Sequence, residues 1–252
     1  MTREIAGVAK RLVAFSAFVL LPVAASANGS SVSPTRLLLA TGASSTYVTI
    51  TNTSLVPQRY SAFAYRWSET ATTPVVLSPT SDVVFFPGSF TLDSLHSQRI
   101  RIGSTAASDL TEKTYRIVVS ELPPLPSVLL RDASGLAFTA SFSIPIYLAP
   151  QNVVAAGEIA NVVVDRHDLR FTVRNTGNVH LVAKKMRVVA TGVSATVMSV
   201  ENSAWFVLAN SQHDFVMPLP SGACSTIASV SIVVDAGKAK FDRTVTPEHA
   251  CG

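Results

Sequence analysis

The sequence predicts an all-β protein of two domains, and three observations carry that expectation. Short segments of alternating apolar and polar residues, separated by turn residues, recur almost to the C-terminus. No segment sustains a helical period. Val, Thr, Ser, Ala and Ile are abundant while charged side chains make up only 14% of the chain, a bias toward strands. Strands at this spacing read as a sandwich or a barrel.

The fold begins after a leader. Arg3, Lys10 and Arg11 form a basic start, Leu12 to Val23 an apolar run, and Ala25-Ser26-Ala27 a small-residue cleavage site. Residues 1–27 therefore read as a secretory signal peptide rather than a membrane span, so the mature chain is expected outside the cytosol and not as an integral membrane protein. Removing them takes three basic and one acidic side chain and leaves 17 against 15. So small a surplus, scattered singly except at Lys184-Lys185, makes no nucleic-acid footprint. About 225 residues remain, which suits two domains of ordinary size. The two cysteines, Cys224 and Cys251, are expected to pair in an oxidising compartment, closing a loop worth about 3 kcal/mol in chain-entropy terms.

In the first half, strands are expected over Tyr47–Thr51, Tyr60–Trp67, Gln98–Ile102 and Tyr115–Val119. The first of these stops at Asn52-Thr53-Ser54. Then comes an unusually regular stretch. From Leu136 to Ile146 every even position is apolar (Leu136, Phe138, Ala140, Phe142, Ile144, Ile146), whereas Thr139, Ser141 and Ser143 are polar. This predicts a strand of about eleven residues, twice the usual length. Pro145 cannot donate to a ladder and places it at an edge or a strand end. A long edge with an apolar face is an aggregation hazard, so its retention points to a partner that covers it. Ile144 and Ile146 are expected in the protein's own core, and Leu136 to Phe142 outward. The boundary is expected at Pro150-Gln151-Asn152, giving domains over 28–150 and 151–252. Later strands are expected over Ile159–Val164, Leu169–Val173, Arg187–Val189, Trp205–Leu208 and Ala228–Val234, with Asn175-Thr176-Gly177-Asn178 as a turn.

Site chemistry is sparse. The five histidines (His96, His167, His180, His213, His249) show no ligand spacing, so no metal site is expected. Asp165-Arg166-His167-Asp168 reads as a solvated turn. There is no phosphate-binding glycine loop and no nucleophile elbow; neither an enzyme nor a cofactor is expected.

Several further segments, in order, resemble the PapD-like periplasmic chaperones of the chaperone–usher pilus pathway, within them the branch serving archaic, spore-coat-U-type pili. They are Ser33-Pro34-Thr35-Arg36, Tyr47 to Asn52, Phe85-Phe86-Pro87, Gln98 to Ile102, Tyr115-Arg116-Ile117, Glu121-Leu122-Pro123 and Ile144 to Pro150. In the second half they are Asn175 to His180 and Trp205 to Leu208. No single piece is specific, but the ordered set is. The resemblance implies two immunoglobulin-like β-sandwich domains set at an angle. It implies a chaperone that binds and caps incomplete pilus or fimbrial subunits by lending a strand, then delivers them to an outer-membrane usher. Leu136, Phe138, Ala140 and Phe142 would fill the subunit's groove, and Arg36 would grip its terminal carboxylate. Other members add a lysine on the donor strand, where this chain aligns Pro145; Arg99, Arg101 or Arg116 could replace that charge. Pro123 to Gly135 is either a loop flanking the donor strand or a plain connection. The alternative reading is a secreted β-sandwich adhesin or structural pilus component, which as a subunit would carry an N-terminal donor extension and lack its own last strand.

Overall fold

The computed structural model describes residues 29–40, 45–123, 138–202 and 205–251. The expected signal peptide and Leu136 lie outside them, as does most of the segment after Pro123. The first unit contains β1 (Ser30–Ser33), β2 (Leu37–Leu39), β3 (Ser45–Asn52), β4 (Gln58–Ser68) and β5 (Val76–Pro79). It continues with β6 (Val83–Phe86), β7 (Ser89–Leu92), β8 (Ser97–Ser104), β9 (Lys113–Leu122) and β10 (Ser141–Leu148). One sheet has the order β1-β3-β8-β6; the other runs β2-β10-β9-β4-β5, with β7 also on β4. Alternation decides which side chains meet between them. Val48, Ile50, Ile100 and Ile102 point inward from the first sheet, and Tyr115, Ile117, Val119, Ile144 and Ile146 from the second, all nearly inaccessible.

The second unit follows with β11 (Gly157–Asp165), β12 (Asp168–Asn175), β13 (Leu181–Ala183), β14 (Lys185–Gly192) and β15 (Thr196–Asn202). Then come β16 (Trp205–Val207), β17 (Gln212–Pro218), β18 (Ile227–Asp235), β19 (Lys240–Val245) and β20 (Glu248–Ala250). Its sheets run β17-β12-β11-β20 and β15-β14-β18-β19, with β13 paired to β16. They enclose a separate core around Leu169, Phe171, Val188 and Ile232. Asn161 interrupts β11 with a positive φ of 52°, and the register with β12 shifts there. That extra residue shifts the phase of the alternation, so that Ile159 before it and Val162 and Val164 after it all face the core. Cys224 and Cys251 are bonded to one another. No described helix is long and apolar enough to cross a membrane.

The two sandwiches share a device that the sequence showed only as two Asn-Thr pairs. Asn52 ends β3 fully buried; its side chain donates to Val56 O (2.8 Å) and Leu92 O (3.2 Å) and accepts from the Ser54 N–H (2.9 Å). Asn175 ends β12 likewise, donating to Val179 O (2.7 Å) and Val207 O (3.0 Å) and accepting from the Gly177 N–H (3.0 Å). Each amide satisfies buried main-chain groups where the chain leaves its sheet, which is why a polar residue tolerates complete burial.

One expected element is corrected. The regular stretch is not a strand from 136 to 146: the strand starts at Ser141 and continues through Tyr147 and Leu148. Upstream, the Ala140 carbonyl still accepts from the Glu121 N–H (2.8 Å), but the Ala140 N–H turns to the Glu121 carboxylate (3.2 Å), and the ladder ends. Downstream, parallel pairing with β2 over Ile146–Leu148 holds the strand in place. Alternation in composition outlasted alternation in structure.

Candidate functional site

β10 is flanked on both sides along only part of its length. β9 pairs with all eight of its residues, whereas β2 covers only Ile146, Tyr147 and Leu148. The bond between Glu121 and Ala140 sets the parity: even positions of β10 turn their main-chain groups to β9, and odd positions turn theirs away. The groups of Ser141 and Ser143 therefore face an edge that no described strand occupies. Pro145 belongs to the same set, so its missing N–H costs the β9 ladder nothing.

The even side chains form a gradient along this segment. Ile146 and Ile144 are sealed in the core, at 0% and 2% exposure. Phe142 is half-buried and packs against the same core. Ala140 is half-buried, and Phe138 is 79% exposed. The expectation that 138–142 point outward as a block thus needs correction at Phe142, whose ring partly seats inside its own sandwich because the strand is already regular there. Thr139, Ser141 and Ser143 are exposed.

Two arginines flank Pro145. Arg116 on β9 is its direct partner, and Arg36 immediately precedes the pair Leu37–Ile146. Side chains adjacent across a sheet share a face, so all three lie on the outer surface of this sheet, toward the second unit. Arg116 places its guanidinium carbon 4.0 Å from the centroid of Trp67 and 5.9 Å from that of Phe206, and reaches Ser143 Oγ at 3.2 Å. Its Nε is buried without a hydrogen-bond partner among the described residues, and burial pulls its pKa down. Arg36 is exposed and lines a cleft of about 480 Å³ between the units, with Leu38, His180, Lys184 and Lys238. Arg99 and Arg101, the other candidates for a second charge, stand on β8 in the opposite sheet.

The cleft floor joins the two sandwiches. Trp67 meets Phe206 edge-on at 4.8 Å, and Tyr147 stacks on His180 at 3.7 Å. Beside them the Glu112 carboxylate accepts from His180 N (3.1 Å) and from His180 Nδ1 (2.8 Å). The Glu112 N–H donates to Asn178 O (2.9 Å), and Asn178 Nδ2 donates to Leu110 O (2.7 Å). The Tyr147 hydroxyl is pushed up to about 12, by burial first and by Glu112 next, against the opposing pull of Arg116 and Arg36. The turn expected at Asn175–Asn178 is where the second unit docks onto the first. Glu112, Tyr147 and Glu69 carried no signal of this role in the sequence; His180 stood out there as a histidine without ligand spacing and as the last residue of the resembling segment Asn175 to His180.

Glu69, just after β4, accepts the Leu208 N–H with Oε1, while its Oε2 is buried without a partner among the described residues. Burial raises its pKa to about 7, outweighing that hydrogen bond. In the unfolded chain the group ionises in the ordinary carboxylate range. Between that range and pH 7 the folded state holds a proton that the unfolded state has lost, so stability falls as pH rises through this window. The melting temperature is therefore expected to drop from about pH 5 to pH 8, and Glu69→Gln to flatten that slope and raise the melting temperature at the upper end. An unchanged slope in a calorimetric pH series would remove Glu69 as its source.

Among solved structures the chain is similar to the class 5 fimbriae chaperone CfaA, with 15% identity and a TM-score of 0.57 over 87% of this chain and 100% of that one. It is similar at 16% identity and 0.57, over 88% and 100%, to a chain of the CsuC–CsuE chaperone–tip adhesion subunit pre-assembly complex from archaic chaperone-usher Csu pili of Acinetobacter baumannii. The YadV chaperone follows at 15% and 0.52, over 86% and 98%. At such identity the likeness is one of fold: two PapD-like β-sandwich domains. No curated protein matches the sequence. Residues 29–154, half of the chain, match the family model for pili and flagellar-assembly chaperones, PapD N-terminal domain, and the chain belongs to that family.

Proposed function

We propose that this protein is a periplasmic chaperone that caps incomplete pilus subunits by donor-strand complementation and hands them to an outer-membrane usher, in the archaic, spore-coat-U-type branch. The observation that carries this reading is the open edge of β10 from Ser141 to Pro145, preceded by the exposed Phe138 and flanked by Arg36 and Arg116. A subunit lacking its last strand would pair its main chain with that edge. Phe138, Ala140 and the accessible part of Phe142 would enter its groove, and with them Leu136, which lies outside the described residues. Full burial of Phe138 alone would contribute about 1.5–3 kcal/mol before ordering costs. Arg36 would take the subunit's terminal carboxylate, with Arg116 as the second positive charge where the donor strand itself has Pro145. No nucleotide is needed: the energy would come from completing the subunit fold when one donor strand replaces another. The adhesin or pilus-component reading is less well supported, because Ile144 to Leu148 already complete the first sandwich.

The test is co-expression with candidate subunits and periplasmic pull-down. Arg36→Ala is expected to cut captured subunit severalfold without moving the chaperone's melting temperature, since Arg36 is exposed. Undiminished yield would remove Arg36 from the site; failure of every candidate to copurify with the parent chain would remove the chaperone reading itself.

A further inference from the structure

The sheet β1-β3-β8-β6 turns its outer face away from the β10 edge and carries a different chemistry. Arg99 and Arg101 stand two residues apart on β8, hence on one face and about 6.8 Å apart along the strand. Arg101 is paired with Tyr47 on one side and Phe86 on the other, so a cation sits between two aromatic residues. The Arg99 guanidinium carbon lies 4.8 Å from the Tyr47 ring centroid. Tyr47, Val84 and Phe86 are 50%, 51% and 78% exposed. The four strands contain no Asp or Glu, and among the described residues no carboxylate pairs with either arginine. Among the described residues Arg101 donates through its Nε alone, to Ser45 Oγ at 3.0 Å. Among the described strands β6 has β8 as its single neighbour, and a depression lined by Ser45, Val84, Phe86 and Arg101 lies at that margin.

We propose that this face is a second docking surface, for an extended protein segment carrying two carboxylates two residues apart beside an apolar side chain. Charge complementarity selects the acids: two guanidiniums, Arg99 over the Tyr47 ring and Arg101 tied by its Nε to Ser45, have no counter-charge among the described residues and are matched by carboxylates. The spacing selects an extended partner, because alternate side chains of a strand repeat at the same interval as Arg99 and Arg101. Arginine and aromatic residues together on an exposed apolar patch are the composition of interface centres. A lipid surface fits less well, since two cations add little attraction to an anionic membrane, and nucleic acid would need a longer basic track.

The surface is independent of the β10 edge and can be tested without any pilus subunit. The probe is a short labelled peptide with two glutamates two residues apart and a neighbouring phenylalanine, read by fluorescence anisotropy on the full mature chain. It is expected to bind about tenfold or more tightly than the same peptide with glutamines, and to weaken at high salt. The double variant R99Q/R101Q is expected to lose that preference, and Phe86→Ser to weaken binding severalfold, both with unchanged circular dichroism. Equal binding of the two peptides, or undiminished binding by R99Q/R101Q, would overturn the proposal. So would arginine-dependent binding to phosphatidylglycerol vesicles in preference to the peptide, which would make the face a lipid surface.

Discussion

Phe138→Asp is expected to abolish subunit capture while leaving the chaperone's own melting temperature within about 2 °C of the parent. The two halves of this expectation have different origins. Phe138 is 79% exposed and outside the described core, so its loss disturbs little of the chaperone's own packing. In a subunit groove the same position would be buried, and a carboxylate there would lose the apolar contribution and add the cost of desolvating a charge, several kcal/mol together. That corresponds to more than a hundredfold in affinity. Phe142→Asp is the informative contrast. Its ring packs against the core of the first sandwich, so this substitution is expected to lower the chaperone's own melting temperature as well. Pull-down yield and calorimetry on the two variants separate the roles. If Phe138→Asp captures subunit normally, the exposed phenylalanine is no part of the site; if it unfolds the chaperone, the ring belongs to the interior.

The contrast between Phe138 and Phe142 also marks how far the sequence can be read. The period-two pattern was correct about parity: Ile144 and Ile146 are inside, Thr139, Ser141 and Ser143 outside. It could not say where the ladder stops. That is decided by Glu121, whose side chain takes the Ala140 N–H in place of a main-chain acceptor. Most strands of the cores were legible because each buries one face and must alternate. The short strands β2 and β13 were not seen as separate elements, since three residues carry too little pattern, whereas β16 falls within the strand expected over Trp205–Leu208. Among the arginines, type alone could not separate Arg99, Arg101 and Arg116. Only the sheet order does so, putting Arg116 beside Pro145 and the other two on the far side of the sandwich. The inter-unit contacts were invisible for a similar reason: Glu112 and His180 are 68 residues apart, and each alone is an ordinary polar side chain.

That pair yields the second large effect. Glu112→Ala is expected to uncouple the two sandwiches, splitting one thermal transition into two and broadening the small-angle scattering profile. The Glu112 side chain is only 4% exposed and satisfies both the main-chain N–H and the ring Nδ1 of His180. Truncation leaves those two donors unpaired in a nearly closed space, at a cost of about 1–3 kcal/mol each. The stacking of His180 on Tyr147 loses its anchor in the same step, and Tyr147 stands beside the arginines at the cleft. Capture should therefore fall too, but less than with Phe138→Asp, because the β10 edge is built within the first sandwich and survives. Glu112→Gln keeps an oxygen for His180 and is expected to fall between parent and alanine variant. A single transition at the parental temperature in Glu112→Ala would show that the aromatic contacts around Trp67 and Phe206 hold the units together without the carboxylate.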